Sequence, residues 1–136
     1  MKLVVRHEKP MAFIARAERG AELRLDGTPD LGGDDAYLRP MEGVLASLAS
    51  CSGVDVAMIL AKQKQPLREM EIRLEAKRAD AVPAVFESIH LVFRLSGNLA
   101  ENKARRAVSL SMDKYCSVAR MLAHSVQITY DVELAP

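Results

Sequence analysis

The longest apolar segment of the chain runs over Pro40–Lys64 and reads PMEGVLASLASCSGVDVAMILAKQK. Asp55 is the only charged residue between positions 44 and 61. The proline at the start suits the first turn of a helix, where a missing N–H costs nothing, and Pro66 stops the helix just beyond its end. The pattern therefore predicts one helix, roughly 37 Å long, that is apolar on every side.

A helix of this kind either crosses a membrane or lies in a protein core. Asp55 stands near its middle and would cost on the order of 3 kcal/mol in a membrane, which favours the core helix. A single sheet layer built by 136 residues is too small to enclose such a helix. We expect a second copy of the chain to supply the other layer, so the pattern predicts an obligate homodimer without a membrane partner.

Other segments of the chain have the two-residue period of β-strands. Strict alternation of apolar and polar residues occurs in three of them: Glu69–Lys77, Ile89–Leu95 and Val126–Leu134. Such strands have one buried and one wet face, which is typical of antiparallel sheets. Three short strands are predicted before the long helix: Lys2–Val5, Met11–Ala17 and Ala21–Leu25.

A second helical region lies between the last two alternating strands. Asn98 followed by Glu101 forms a capping-box-like start, and small apolar residues continue the helical stripe as far as Ser111. Ser111 and Asp113 interrupt this stripe, and Ser117–His124 is predicted as a further short helix. The predicted order is βββαββααβ, which makes an α+β fold in a single domain over residues 1–136.

Composition narrows the classes of function. Hydrophobic residues make up 49% of the chain but aromatic residues only 4%, so the core is aliphatic. The net charge is +1, and acidic and basic residues are interspersed, which gives no basic patch for nucleic acid or an anionic membrane. No export signal is recognised at the N-terminus. We therefore expect the protein to lie in the reducing cytoplasm, where its two cysteines would not form a permanent disulfide.

Cys51 and Cys116 are the strongest candidates for reactive residues. Their separation fits neither a Cys-x-x-Cys motif nor a zinc site. Two interpretations stay open: two unreactive buried thiols, or a redox pair. Cys51 is flanked by small residues that leave room for a ligand or for the backbone of a neighbouring segment. Cys116 precedes a helix, whose N-terminus is expected to lower the pKa of its thiol.

The remaining polar residues are weaker candidates for a functional role. The three histidines, at positions 7, 90 and 124, have no paired spacing, so no metal site is predicted. Asp55 follows Cys51 by one helical turn, either as a hydrogen-bonded structural carboxylate or as an acid–base group. Glu42 precedes Cys51 by roughly 13 Å along the same helix, so only a helix from another protomer could bring a glutamate of this kind to that thiol.

Two motifs resemble a known family. PMEGVLASLASCSGVDVAMIL, followed by MDKYCSVARML and a closing strand, resembles the OsmC/Ohr family of thiol-dependent peroxide reductases. The start P-M-E, the helix C-S-x-x-D-V and the segment K-Y-C-S-V are similar to the YhfA-like branch. The resemblance covers nearly the whole chain, and it implies an OsmC-like fold: an intertwined homodimer with long central helices wrapped by antiparallel sheets.

The resemblance also implies a reaction. Cys51 would attack an organic hydroperoxide and become a sulfenic acid, Cys116 would form a disulfide with it, and a dithiol would reduce that disulfide. No cofactor is implied. The substrate would be a small apolar hydroperoxide, in oxidative-stress defence.

This chain departs from the family pattern at the residues that assist the reactive thiol in the peroxidase members. Peroxidase members of the family have a glutamate directly after the helix-opening proline, whereas here Met41 takes that place and Glu42 follows. Arg16 and Arg39 are the candidates for the arginine that holds the thiolate in those members. A binding module with a small apolar ligand is the alternative function, and hydrolysis by a Cys/His pair lacks an assigned histidine.

Overall fold

The computed structural model describes all 136 residues and confirms the α+β class. The strands are β1 (Leu3–Glu8), β2 (Ala12–Ala17), β3 (Glu22–Asp26), β4 (Leu67–Arg78), β5 (Phe86–Gly97) and β6 (Gln127–Ala135). The α-helices are α1 (Pro40–Lys62), α2 (Glu101–Leu110) and α3 (Ser117–Leu122). The predicted order βββαββααβ is confirmed, with a 3₁₀ turn at Pro29–Leu31 and a π-helical turn at Ser111–Tyr115 in addition.

The first of two compact units covers Met1–Ala46. Its three strands form an antiparallel sheet in the order β1-β2-β3. β3 ends at the buried Asp26, whose Oδ2 accepts a hydrogen bond from the Asp34 backbone N–H at 3.1 Å. The unit ends with the first turns of α1.

The second unit, Ser47–Pro136, contains a sheet in the order β4-β5-β6. β4 and β5 pair antiparallel as predicted, but β6 pairs parallel to β5. The expectation of purely antiparallel sheets was therefore wrong for this strand. The reason is that α2 and α3 lie between β5 and β6, and a helical crossover returns the chain to the end of the sheet where it started.

The core of the second unit lies on one face of this sheet. Leu91, Phe93 and Leu95 of β5 have no exposed surface, which confirms the inward face that the alternation predicted. α2 buries Ala104, Ala107 and Val108 of the predicted stripe, and Ser111 is buried just after α2, whereas Ala100, which the stripe also included, is exposed. The capping box predicted at Asn98 was wrong: Ala100 is the N-cap, and its N–H donates to Gln65 Oε1 at 2.8 Å.

α1 begins at the predicted residue and ends two residues earlier than predicted, because Lys64 has a left-handed φ of 53°. Within unit two, one row of α1 is buried: Leu48, Ser52, Val56 and Leu60. The opposite row is exposed: Ser47, Ser50, Val54, Met58 and Ala61. Only 28% of the most apolar 18-residue window is buried, so a single chain does not cover the helix on every side. By length and composition alone α1 could also cross a membrane, a property that it shares with core helices of soluble proteins.

Candidate thiol site

Cys51 lies on α1 at the border between the buried row and the exposed row. It is half-buried, like Asp55 one turn later. Small neighbours allow β4 to come close at this level of the helix: a Cβ on the buried Gly53 would stand 3.1 Å from Ile72 Cδ1. The thin side chains that the sequence places around the thiol therefore serve helix–sheet packing.

Cys116 lies at the junction between the π-helical turn and α3. It is the N-cap of α3, and its Sγ accepts a hydrogen bond from the Ala119 backbone N–H at 3.4 Å. This confirms the predicted position at a helix start. The side chain is almost completely buried, with 1% of its surface exposed.

The fold brings the two thiols together. Both cysteines are free, and Cys51 lies close enough to Cys116 to influence its ionisation although the two residues are far apart in sequence. The pKa of Cys116 is raised from its ordinary 9.0 to about 11; burial is the largest cause, and the nearby Cys51 acts in the same direction. The backbone N–H of Ala119 acts in the opposite direction. The predicted lowering of this pKa was wrong, because desolvation outweighs the helix N-terminus.

A buried hydrogen-bond network lies beside the two cysteines. Ser111 is fully buried, and its Oγ donates to the carbonyl oxygen of Ser52 at 3.0 Å and lies 3.2 Å from Asp55 Oδ2. The carbonyl oxygen of Ser111 accepts the Cys116 backbone N–H at 2.8 Å. Asp55 is half-buried and has this buried hydroxyl within hydrogen-bond distance.

The helical pattern placed Ser111 at the end of a stripe and gave it no functional role. A small hydroxyl residue at a buried helical position was the available signal, because buried hydroxyls need a partner. The sequence does not show that this partner is α1.

The hydrogen bonds of His7 and His90 go to groups other than the two thiols. His90 is on the wet face of the sheet and bonds to Thr129 Oγ1 at 2.7 Å and Asp131 Oδ2 at 3.1 Å. His7 bonds to the carbonyl oxygen of Pro10, and His124 follows the end of α3. No cluster of three or more His, Cys, Asp or Glu residues has the geometry of a metal site.

The other predicted site residues belong to the first unit, where each has a local partner. Glu42 Oε1 accepts the backbone N–H of Arg39 at 3.0 Å, the bond that a residue at the third helical position makes to an N-cap. The Arg39 side chain pairs with Asp35 at 2.9 Å. Arg16 Nε donates to Glu22 Oε1 at 3.0 Å, and this hydrogen bond and the charge of Arg16 lower the pKa of Glu22.

Comparisons with known proteins agree with this architecture. The family described as "OsmC: OsmC-like protein" matches residues 32–131. Protein YhfA of Escherichia coli K12 is 36% identical over 135 residues, which cover 98% of both chains.

Solved structures match over the same length. A hypothetical protein from Aquifex aeolicus VF5 has a TM-score of 0.83 and 31% identity, covering 99% of this chain and 97% of its own. The organic hydroperoxide resistance protein OsmC from Legionella pneumophila has a TM-score of 0.72 at 18% identity, covering 98% and 97%, and shares the fold. From the family match and the identity to YhfA, this chain belongs to the OsmC-like protein family.

Proposed function

We propose that this protein is a thiol-dependent reductase of organic hydroperoxides, in which Cys51 reacts first and Cys116 completes the cycle. The observation that carries the proposal is the proximity of the two free cysteines, whose segments are joined by the hydrogen bonds of Ser111. Thiols that lie close together can form a disulfide with little rearrangement, which a peroxidase cycle requires. Relatives of the same fold named for organic hydroperoxide resistance support the choice of oxidant.

The cycle has three balanced steps. The Cys51 thiolate attacks the terminal oxygen of the hydroperoxide, the O–O bond breaks, and the alcohol leaves with a proton, so that Cys51 becomes a sulfenic acid. The Cys116 sulfur then attacks the Cys51 sulfur, and water leaves as the disulfide forms. A dithiol reduces this disulfide by two exchange steps and returns both thiols.

Burial assigns the two roles. Cys116 has 1% of its surface exposed, and its raised pKa of about 11 keeps it protonated at neutral pH, so it is a poor first nucleophile. Cys51 is half-buried at the border of the exposed row of α1 and is the more accessible thiol. Oxidation of Cys51 to the neutral sulfenic acid removes the negative charge that raises the pKa of Cys116, which favours the second step.

Three charged residues are proposed as helpers. Arg16 and Arg39 are the candidates for the cation that holds the Cys51 thiolate, and Glu42 for orienting that cation. Each arginine is paired with a carboxylate in the single chain, so either one would have to leave or share that partner. Replacing each arginine separately with Ala tests this. Loss of the arginine that stabilises the thiolate should lower the rate of Cys51 oxidation, and loss of the other arginine should leave the rate unchanged.

We also propose that the protein acts as a homodimer in the cytoplasm. The exposed row of α1 includes Val54 and Met58, which have 59% and 51% of their surfaces exposed in the single chain. A second copy that covers this row would remove apolar surface from water and would complete the burial of α1. A monomer in sedimentation at micromolar concentration would contradict the dimer.

The test of function is the consumption of cumene hydroperoxide by the pure protein with dithiothreitol. Cys51→Ser should abolish turnover, whereas Ser109→Ala, on the surface of α2, should keep it. Cys116→Ser should perform one oxidation and accumulate a sulfenic acid that dimedone traps. If the wild type consumes no hydroperoxide and both thiols stay free, the proposal is wrong, and binding of a small ligand is the function that remains.

A further inference from the structure

Ser111 connects the two cysteine-bearing segments through two hydrogen bonds in series. Its Oγ donates to the carbonyl oxygen of Ser52, the residue next to Cys51, at 3.0 Å. Its own carbonyl oxygen accepts the backbone N–H of Cys116 at 2.8 Å. One residue therefore joins the backbone beside the first thiol to the backbone of the second.

The local structure around Ser111 is unusual. Residues Ser111–Tyr115 form a π-helical turn, and the bond from Cys116 back to Ser111 spans five residues instead of four. Single π-helical turns of this kind are rare and are frequent at functional sites. Here the wider turn places Ser111 against α1 while Cys116 is aligned as the N-cap of α3.

The network is buried and fully partnered. Ser52 and Ser111 have no exposed surface, and Asp55 Oδ2 lies 3.2 Å from the Ser111 hydroxyl as a second partner. A buried hydroxyl with such partners fixes geometry more strongly than the same group in water, because no water competes for the bonds. Removing the hydroxyl would detach the π-helical turn from α1 at this point, while the backbone bond from Cys116 to Ser111 would remain.

We infer that Ser111 is a positioning residue that holds Cys116 beside the Cys51 segment of α1 and so sets the stability of a disulfide between the two cysteines. The inference rests on the proposed function for its biological meaning, but the disulfide equilibrium itself does not require a peroxide. Intramolecular reactions depend steeply on geometry, and a misplacement of 1 Å can cost about a hundredfold. Ser111 acts through Cys116 and touches no substrate.

The experiment is equilibration of the pure protein with mixtures of reduced and oxidised glutathione. Oxidised glutathione accepts two electrons and becomes two reduced glutathione molecules, while the two protein thiols lose their protons and form one S–S bond. Alkylation followed by mass spectrometry counts the disulfide at each ratio. This gives an equilibrium constant that measures the effective concentration of one thiol at the other.

Ser111→Ala should lower this equilibrium constant by about tenfold, since a lost hydrogen bond displaces Cys116 without removing it. The matched control is Ser109→Ala, because Ser109 Oγ bonds only to the carbonyl oxygen of Arg106 within α2. The control should keep the wild-type constant. Equal constants for wild type and Ser111→Ala would overturn the inference.

A second pair of variants applies if Ser111→Ala does not fold. Asp55→Ala removes the carboxylate partner of the Ser111 hydroxyl, whereas Asp55→Asn retains an acceptor oxygen. The constant should fall in the first and recover in the second, and equal constants in both would contradict the inference.

A Ser111 effect in glutathione together with no hydroperoxide consumption would reject the proposed function alone. Hydroperoxide consumption without any Ser111 effect would reject the positioning role alone.

Discussion

The protonation of Cys116 decides which cysteine reacts first, and it can be measured directly. Cys51→Ser leaves Cys116 as the only thiol. The variant removes the charge of Cys51, but burial, the largest cause of the raised pKa, stays. We therefore expect Cys116 in this variant to titrate above its ordinary 9.0 and below the value of about 11 in the intact pair.

The magnitude has a direct consequence for reactivity. One pKa unit corresponds to a factor of ten in the ionised fraction. At pH 8 a thiol with a pKa of about 11 is ionised in roughly one molecule in a thousand, against roughly one in ten for a thiol with a pKa of 9.0. Cys116 in the intact pair should therefore be about a hundredfold less ionised than an ordinary thiol.

The assay is thiolate absorbance near 240 nm as a function of pH. Tyrosines also ionise in this range, and the chain has three, of which Tyr130 has a pKa raised by burial and by Asp113. The double variant Cys51→Ser/Cys116→Ser has the same tyrosines and provides the blank. A midpoint at or below 9.0 would refute the reasoning, because the helix N-terminus would then outweigh burial.

Stability should respond in the same pH range. The folded-state pKa lies above that of the unfolded chain, so the unfolded state loses its proton first as the pH rises. The contribution of the neutral thiol is fully present below about pH 9 and is lost progressively up to about pH 11. Cys116→Ala should therefore show a shallower loss of stability over this range than the wild type, measured by urea unfolding.

Further substitutions test the fold by urea unfolding, with all variants compared at one fixed protein concentration. Glu42→Ala should cost about 1 kcal/mol by removing the bond at the start of α1, and Glu42→Gln, which keeps an acceptor, should cost less. Phe93→Ala, at a fully buried position of β5, should cost about 3–5 kcal/mol, whereas Val82→Ala, at a fully exposed one, should stay within about 0.5 kcal/mol. Gly97→Ala should cost more than about 1 kcal/mol, because φ is 131° and a Cβ would stand 2.3 Å from the carbonyl oxygen of Pro66; a wild-type midpoint would contradict this backbone geometry.

Local patterns in the sequence were enough to predict most of the secondary-structure elements. The uninterrupted apolar segment identified α1 from its first residue, and strict alternation identified the strands of the second sheet, including the inward face of β5. The position of Cys116 at a helix start was equally visible. These features are local: the side-chain period and the nearby turn residues specify them wherever the segment ends up.

Only the tertiary structure decided which elements meet. The parallel pairing of β6 depends on the path of the two helices before it, and the proximity of Cys51 and Cys116 depends on how the π-helical turn packs on α1. The direction of the Cys116 pKa shift follows from the same packing, because desolvation is set by the segments that cover the thiol. A helix start is visible in the sequence, whereas the groups that exclude water from it come from distant parts of the chain.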